Sequence, residues 1–267
     1  ERKQFGQLIG QFQAISHPLA DCLSYVDGGK LLTWAAIRAI ADEIGALVLF
    51  DAAHMSGMIA GQAWQQPLEE GAHLMTMSTY KSLGGPPSGL IVTNDAAIAE
   101  RLDAIAYPGL TANFDAAKSA SLAITLLDWK AHGRDYAQMM AATAKALGEA
   151  LCERQIPVYA RERGITTSHQ FAIEAHAYGS GQAAAQRLRA INILSCGIGL
   201  PLPEVAADVN GLRLGTPEIV RFGMTPADMP ELAAYIAEGL NGSRPAEAIA
   251  RDVTAFRGRF RELHFMR

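Results

Sequence analysis

The chain has 267 residues, of which 49% are hydrophobic, and it carries 23 basic and 27 acidic side chains. This composition excludes a disordered or fibrous protein, and the length is sufficient for one large domain or two. The formal net charge is -4 without a long basic run, so we expect no nucleic-acid partner. No apolar run approaches the roughly 18 to 20 residues that cross a bilayer, so we also expect no membrane-spanning segment.

The cysteine spacing bears on the redox compartment of the protein, and the first residue bears on whether an N-terminal part is absent. Cys22, Cys152 and Cys196 are far apart and form no CxxC pair. This spacing favours a reducing, cytoplasmic setting over a disulfide framework or a thiolate zinc site. The chain begins at Glu1 without a methionine and enters helix-like sequence at once. We therefore expect that an upstream portion is absent.

The first half of the chain alternates helix and strand patterns. Residues 32–44 have helical periodicity and stop at Gly45, and the apolar run 46–50 reads as a strand buried on both faces that ends in Asp51. The pattern continues with strands at 73–78 and 89–93 and with a helix at 95–105 whose candidate N-cap is Asn94. This order predicts an α/β protein with a mostly parallel sheet.

The second half reads differently. Residues 115–155 are helical over a length that suggests a break, which we place at Gly133. Beyond Pro157 the pattern becomes α+β: strands at 158–161, 170–175 and 211–215, helices at 181–192 and 226–240, and an amphipathic terminal helix within 244–263. We expect a large domain over residues 1–130 and a smaller C-terminal domain over residues 131–267.

Asp51 and His54 form the first candidate site. Polar residues at the carboxyl end of a parallel strand point into the crevice where α/β proteins bind ligands. Two ligands are fewer than the three that a catalytic zinc site takes from the protein, so we expect no metal here. A capping aspartate beside a core histidine remains an alternative interpretation of the same residues.

Lys81 is the second candidate. It lies in STYKSLGGPPSGLI, between two predicted strands and among tight-turn residues, which is an unusual place for a surface lysine. A lysine can form a Schiff base with a carbonyl, and pyridoxal phosphate (PLP) chemistry needs that lysine together with an acid for the pyridinium nitrogen. Asp51 would supply this acid. On spacing alone, a lysine that contacts phosphate is an equal alternative.

Three strings together carry a family resemblance: LVLFDAAHMSGMIAG, STYKSLGGPPSGL and GLRLGTPEIVRFG, in this order. They resemble serine hydroxymethyltransferase and its relatives, PLP enzymes of the aspartate-aminotransferase fold (fold type I). The resemblance runs from about Leu31 to Leu240. It implies that the chain is part of such a fold, with a mostly parallel large-domain sheet and a smaller α+β domain, and that it lacks the first third of the family's polypeptide.

The resemblance also assigns site residues, position by position. Lys81 would form the Schiff base with PLP, Asp51 would contact the pyridinium nitrogen, and His54 would lie at the cofactor ring. Arg213 would bind the substrate α-carboxylate, a role that suits the planar fork of a guanidinium. Ser24 and Ser78 match hydroxyl residues close to the cofactor, and hydrogen bonding at strand ends is the alternative explanation for both serines.

Two departures from the family pattern bear on the reaction. Tyr80 stands where the family usually has a histidine, directly before the lysine, and we count it among the cofactor-binding candidates. Cys196 and Ile198 occupy positions where the family carries asparagines that help to hold folate. The resemblance further implies a homodimer or homotetramer.

These features predict a cytoplasmic PLP-dependent transferase of one-carbon metabolism that interconverts serine and glycine, with tetrahydrofolate as the one-carbon acceptor. The main alternative is a folate-independent aldolase acting on threonine-like or α-methylserine-like amino acids. A transaminase or desulfurase on the same fold, and a truncated chain that does not bind PLP, are further alternatives. A desulfurase would need a catalytic cysteine in a mobile loop, and none of the three cysteines lies in an obvious one.

Overall fold

A computed structural model describes residues 3–4, 7–8, 33 and 35–267. These residues belong to two compact units whose segments alternate along the chain. The first unit comprises the chain up to Ala52, Gln65–Met77 and Gly89–Phe114, and the second comprises Ala53–Trp64, Ser78–Ser88 and Asp115–Arg267. The predicted domain boundary near residue 130 falls inside a continuous helix, described below, and the predicted division into domains stays a prediction.

The first unit contains the α/β elements. Two short strands, β1 (Lys3–Gln4) and β2 (Gln7–Leu8), pair antiparallel, and the helical residues 35–43 form α1. A three-stranded sheet has the order β3 (Leu49–Asp51), β4 (Leu74–Ser78) and β5 (Gly89–Val92), and α3 (Ala96–Ala104) follows it. β3 and β4 are parallel, with Asp51 opposite Thr76. A wide helical turn, Ile105–Leu110, closes this part of the chain.

Two details of this unit correct the sequence-based expectations. The strand predicted to be buried on both faces is shorter, and Leu49 is 53% exposed. The reason is that β3 is an edge strand of the described sheet, with β4 as its neighbour there. The N-cap of α3 is Asp95 rather than Asn94, because the Asp95 carboxylate accepts hydrogen bonds from the N–H groups of Ala97 and Ile98.

A 38-residue helix, α4 (Ala116–Glu153), runs through the second unit without a break. The predicted break at Gly133 is wrong, and packing explains why a glycine is there. A Cβ at Gly133 would lie 2.6 Å from the Trp129 ring. Helix α2 (Ser56–Ala60) is followed by Gly61, whose own Cβ would lie 2.4 Å from the Gly133 carbonyl oxygen. Gly61 therefore permits a close approach of two backbones, and Gly133 leaves room for the Trp129 ring.

The rest of the second unit is a three-stranded antiparallel sheet covered by helices. The strand order is β6 (Gln170–Glu174), β8 (Gly211–Gly215) and β7 (Cys196–Ile198). The helices are α5 (Gly181–Ala190), α6 (Pro217–Arg221), α7 (Met229–Asn241) and α8 (Ala246–Arg257), with short 3₁₀ turns at Arg161–Arg163, His176–Tyr178 and Pro226–Asp228. The α+β prediction for this region is confirmed.

The alternation of side chains in this sheet separates a core face from a polar face. Phe171, Ile173, Leu212 and Leu214 are buried and belong to the main hydrophobic core. The strand predicted at 158–161 is wrong, since only one bridge, between Val158 and Ile173, forms there. β7 was not predicted, because CGI lacks the alternation that marks a strand.

The helices can be compared with the length and hydrophobicity that a membrane-spanning helix requires. Among the residues that the structure describes, no helix is both long and apolar enough to span a bilayer.

Candidate active site

A cavity of about 630 Å³ opens on the polar face of the β6–β8–β7 sheet. The register explains which side chains form its floor. Arg213 on β8 lies opposite Ala172 on β6 and opposite Cys196 on β7, and Gly215 lies opposite Gln170. Paired residues of an antiparallel sheet share a face, so these residues share one face of the sheet. Of these, Gln170, Cys196, Arg213 and Gly215 line the cavity, together with His54, Lys81 and His169 among others.

The loop that carries Lys81 is held by its own backbone. The Gly84 N–H donates to the Lys81 carbonyl oxygen at 2.9 Å, and the Gly85 N–H donates to the Thr79 carbonyl oxygen at 2.7 Å. Thr79 is fully buried, and its hydroxyl donates to the Ser88 carbonyl oxygen at 2.9 Å. Gly84 has a φ of 70°, which glycine adopts without strain. Lys81 therefore projects from a rigid turn.

Ser82 ties this loop to the segment that carries His54. Its hydroxyl donates to the His54 carbonyl oxygen at 2.6 Å and accepts from the Gly57 N–H at 3.0 Å. Ser82 is 3% exposed, and a Cβ at Gly57 would lie 2.4 Å from the Ser82 carbonyl oxygen. Sequence reasoning missed Ser82. The available signal was a small hydroxyl residue directly after the candidate lysine.

Lys81, His54 and Arg213 meet in the cavity. The Lys81 Nζ lies 3.2 Å from His54 Nε2, and Arg213 Nη1 lies 3.4 Å from His54 Nδ1. An arginine can only donate, so Nδ1 of His54 is the acceptor in its contact with Arg213. The Lys81 amine, the group that can attack a carbonyl, therefore lies within hydrogen-bond distance of an imidazole that Arg213 also contacts.

Arg213 has no acidic partner in the second unit at salt-bridge distance. Its Nη2 instead donates to the Cys196 thiol at 3.1 Å. The sequence left open a surface ion pair between Arg213 and Glu218, and no such pair forms. A half-buried guanidinium without a counter-charge can bind a carboxylate with two parallel hydrogen bonds.

His169 is a cavity residue that the sequence did not indicate as functional. It directly precedes β6, is 5% exposed, and its Nδ1 has no hydrogen-bond partner. Burial, reinforced by the positive charges of His54 and Arg213, lowers the pKa of His169 to about 4. The imidazole is therefore neutral at pH 7.

The pKa of His169 predicts a loss of stability in acid. Above pH 6.5 the ring is neutral in the folded and unfolded states, so it contributes nothing to the pH dependence of the free energy of unfolding. Between pH 6.5 and about 4 the unfolded chain binds a proton that the folded chain does not, so the free energy of unfolding falls by on the order of 3 kcal/mol. Urea titrations at pH 7, 5.5 and 4.5 should show this fall in the unmodified protein and a smaller one in His169→Asn.

The exposed His176 provides the control for that experiment. His176→Asn should keep the pH dependence of the unmodified protein. Parallel curves for His169→Asn and the unmodified protein would show that His169 is not the group that titrates.

The remaining candidate residues have different placements. Asp51 ends β3 in the first unit, and Ser78 ends β4, where its carbonyl oxygen accepts from the Ser56 hydroxyl at 3.3 Å. Tyr80 lines the cavity and is 53% exposed. Ser24 lies outside the described residues. The roles of these four residues, like those of Lys81, His54 and Arg213, stay predictions.

The cavity residues fit PLP as a cofactor. Within the second unit no carboxylate pairs with Lys81, so its amine is available to an aldehyde carbon, and Arg213 is available to a substrate carboxylate. The cavity volume is within the range of small-molecule sites. Lys81 would hold the cofactor covalently.

Comparison with known proteins gives a consistent picture. The family model described as serine hydroxymethyltransferase matches residues 24–236. An α-methylserine aldolase of Ralstonia sp is 66% identical over 231 residues, which are 86% of this chain and 53% of that protein. A serine hydroxymethyltransferase of Sulfolobus acidocaldarius is 37% identical over 266 residues, 99% of this chain and 58% of that protein.

A solved structure agrees with these relatives. The L-threonine transaldolase of Pseudomonas fluorescens superposes with a TM-score of 0.75 and is 26% identical; the match covers 83% of this chain and 51% of that one. The predicted fold, part of a PLP-dependent fold type I enzyme, is confirmed. The chain spans about half the length of the curated relatives it matches.

Proposed function

The chain belongs to the serine hydroxymethyltransferase family, and we propose that it is the part of a PLP-dependent aldolase that carries Lys81 and Arg213. The proposed reaction cleaves or forms the Cα–Cβ bond of a β-hydroxy amino acid whose α-carbon is quaternary, as in α-methylserine. The similarity to α-methylserine aldolases carries this choice. Those of Ralstonia and Variovorax are 59 to 66% identical to this chain, whereas the serine hydroxymethyltransferases of Sulfolobus acidocaldarius and Pyrobaculum neutrophilum are 37% and 36% identical.

The main prediction from the sequence was serine and glycine interconversion with tetrahydrofolate. The relatives support the alternative, a folate-independent aldolase, better than that prediction. Cys196 also supports the aldolase alternative. It occupies a position where the resemblance places an asparagine that holds folate, and its thiol instead accepts a hydrogen bond from Arg213. Transfer to tetrahydrofolate is therefore the second candidate.

The proposed cleavage releases Cβ of the substrate as an aldehyde. The substrate hydroxyl loses its proton, the Cα–Cβ bond breaks, and Cβ leaves as formaldehyde. The α-carbon then takes up a proton, so α-methylserine yields alanine and formaldehyde. Bound PLP supplies an electron sink for the electron pair left on Cα.

The described residues supply binding and orientation. Lys81 provides the amine, presented by the rigid turn and by Ser82. His54 lies between Lys81 and Arg213 and contacts both, so it fixes the separation of the amine and the guanidinium. Arg213 holds the α-carboxylate and so orients the bonds at Cα.

Replacing Arg213 with lysine should weaken amino-acid binding first. Lysine keeps the charge but cannot reproduce the two-pronged hydrogen bonding. Removing one partner of a buried, hydrogen-bonded charge pair costs about 2 to 5 kcal/mol, so the amino-acid concentration at half-saturation should rise roughly 30-fold or more. Spectral titration of the PLP-loaded protein with α-methylserine or alanine measures this midpoint.

The matched control is Arg189→Lys, at an exposed arginine of α5. Its midpoint should match that of the unmodified protein. An unchanged midpoint in Arg213→Lys would mean that another residue holds the carboxylate.

The proposed function is tested by product analysis. The PLP-loaded protein is incubated with α-methylserine or with serine, each with and without tetrahydrofolate. The proposal expects formaldehyde and alanine from α-methylserine at a rate that does not depend on tetrahydrofolate. Turnover of serine that requires tetrahydrofolate, with α-methylserine inert, would instead identify the hydroxymethyltransferase reaction.

The assembly and setting implied by the resemblance belong to the same proposal. We expect a homodimer or homotetramer, a small amino acid as substrate and a cytoplasmic location. Sedimentation analysis of the PLP-loaded protein would measure the first of these.

A further inference from the structure

A second guanidinium, that of Arg221, lines the cavity. Arg221 is the last residue of α6, and it faces the same cavity as Lys81 and Arg213. Within the second unit no carboxylate lies at salt-bridge distance from it. Arg221 lies within the string GLRLGTPEIVRFG, but the sequence analysis assigns it no role and the proposed cleavage does not use it.

The Arg221 side chain is held in place rather than loosely exposed. Its guanidinium lies over the Tyr136 ring, 4.3 Å from the ring centre, and its Nη1 donates to the Phe265 carbonyl oxygen at 2.8 Å. The Tyr136 ring stacks on Phe265, and its hydroxyl donates to the Pro217 carbonyl oxygen at 2.6 Å. A cation held this way loses little conformational entropy when it binds a ligand.

The end of the chain completes this support. The His264 N–H donates to the Arg221 carbonyl oxygen at 2.8 Å. His264 packs so closely on Gly223 that a Cβ there would lie 2.6 Å from its Nε2. His264 and Phe265 therefore hold both the backbone and the side chain of Arg221.

Gly84 of the Lys81 loop lines the same cavity, and its ideal Cβ position lies 3.5 Å from Arg221 Nη2. Because residue 84 is a glycine, no side chain at this position covers the guanidinium.

The charges around the cavity favour an anion. Lys81, Arg213 and Arg221 are basic, whereas Glu218 is the acidic residue among those lining the cavity. His169 adds no charge at pH 7. Low-dielectric walls focus such a positive field and raise the local concentration of anions.

We propose that Arg221 forms a second oxyanion-binding subsite of the cavity, which takes a carboxylate or phosphate group of a small molecule other than the substrate's α-carboxylate. The proposal does not depend on the reaction, because binding can be measured without turnover. Failure of the α-methylserine assay would leave it standing, and its own failure would leave the proposed cleavage standing.

Calorimetric titration of the PLP-loaded protein tests the subsite with two probes, glutarate and inorganic phosphate. The unmodified protein should bind at least one probe, and Arg221→Gln should bind that probe about tenfold or more weakly, since a charge-assisted pair is lost. Arg221→Lys keeps the charge but not the planar guanidinium, so its affinity for the probe should lie between those of the unmodified protein and Arg221→Gln. The two arms show whether the subsite prefers carboxylate or phosphate.

Arg189→Gln is the matched control, because this exposed arginine lies outside the cavity. It should bind both probes as the unmodified protein does, and thermal melting should show that all variants are folded. The proposal is overturned if neither probe binds, or if folded Arg221→Gln binds both within twofold of the unmodified protein.

Discussion

Replacing Lys81 with alanine should abolish cleavage of α-methylserine. The side chain supplies the amine of the proposed Schiff base, and this amine can also move a proton. Loss of a positioned proton-transfer group alone lowers rates by roughly 10²- to 10⁴-fold, and loss of covalent attachment adds to this effect. Formaldehyde release measured under saturating PLP is the readout.

Two variants separate the amine from general effects of charge and folding. Lys81→Arg keeps the positive charge but cannot form a Schiff base, so it should be as inactive as Lys81→Ala. Lys145→Ala removes an exposed lysine of α4 and should be fully active. Activity of Lys81→Ala within tenfold of the unmodified protein would remove Lys81 from the proposed mechanism.

Replacing Asp51 with asparagine should lower turnover by about 10²-fold or more while PLP still binds. The substitution keeps the shape of the side chain but removes the charge that would keep the cofactor's ring nitrogen protonated. One unit of pKa and a tenfold change in rate both correspond to about 1.4 kcal/mol. The expected 10²-fold loss therefore corresponds to a fall of about two units in the pKa of the ring nitrogen. Turnover and the PLP absorption spectrum are measured on the same sample.

Asp103→Asn is the control for Asp51, since Asp103 is an exposed carboxylate on α3 of the same unit. It should turn over normally. Near-normal turnover of Asp51→Asn would show that the Asp51 carboxylate only caps the end of β3 and does not act on the cofactor.

The sequence predicted which residues carry the candidate chemistry better than it predicted how they are held. Lys81, His54 and Arg213 were all named from motifs, although 159 residues separate His54 from Arg213. Their contacts with one another could not be predicted, because they depend on the register of β8 with β7 and on Ser82. The thiol contact of Arg213 needs β7, which has no periodic pattern of its own.

The residues that sequence reasoning missed share a cause. His169 lies in no motif, and Arg221 lies in a motif that assigns it no role; each becomes notable only through a tertiary neighbour, burial beside Arg213 for His169 and stacking on Tyr136 for Arg221. Gly133 was misread for the same reason. A glycine that leaves room for a neighbouring ring has the same local signature as one that ends a helix.

The central claim is that the cavity around Lys81 binds PLP through this lysine. Reduction of the PLP-loaded protein with borohydride, followed by proteolysis and mass spectrometry, measures the attachment site directly. The account predicts a pyridoxyl group on the peptide that contains Lys81, and none on that peptide in Lys81→Arg. A pyridoxyl group on another lysine, with the Lys81 peptide unmodified, would contradict it.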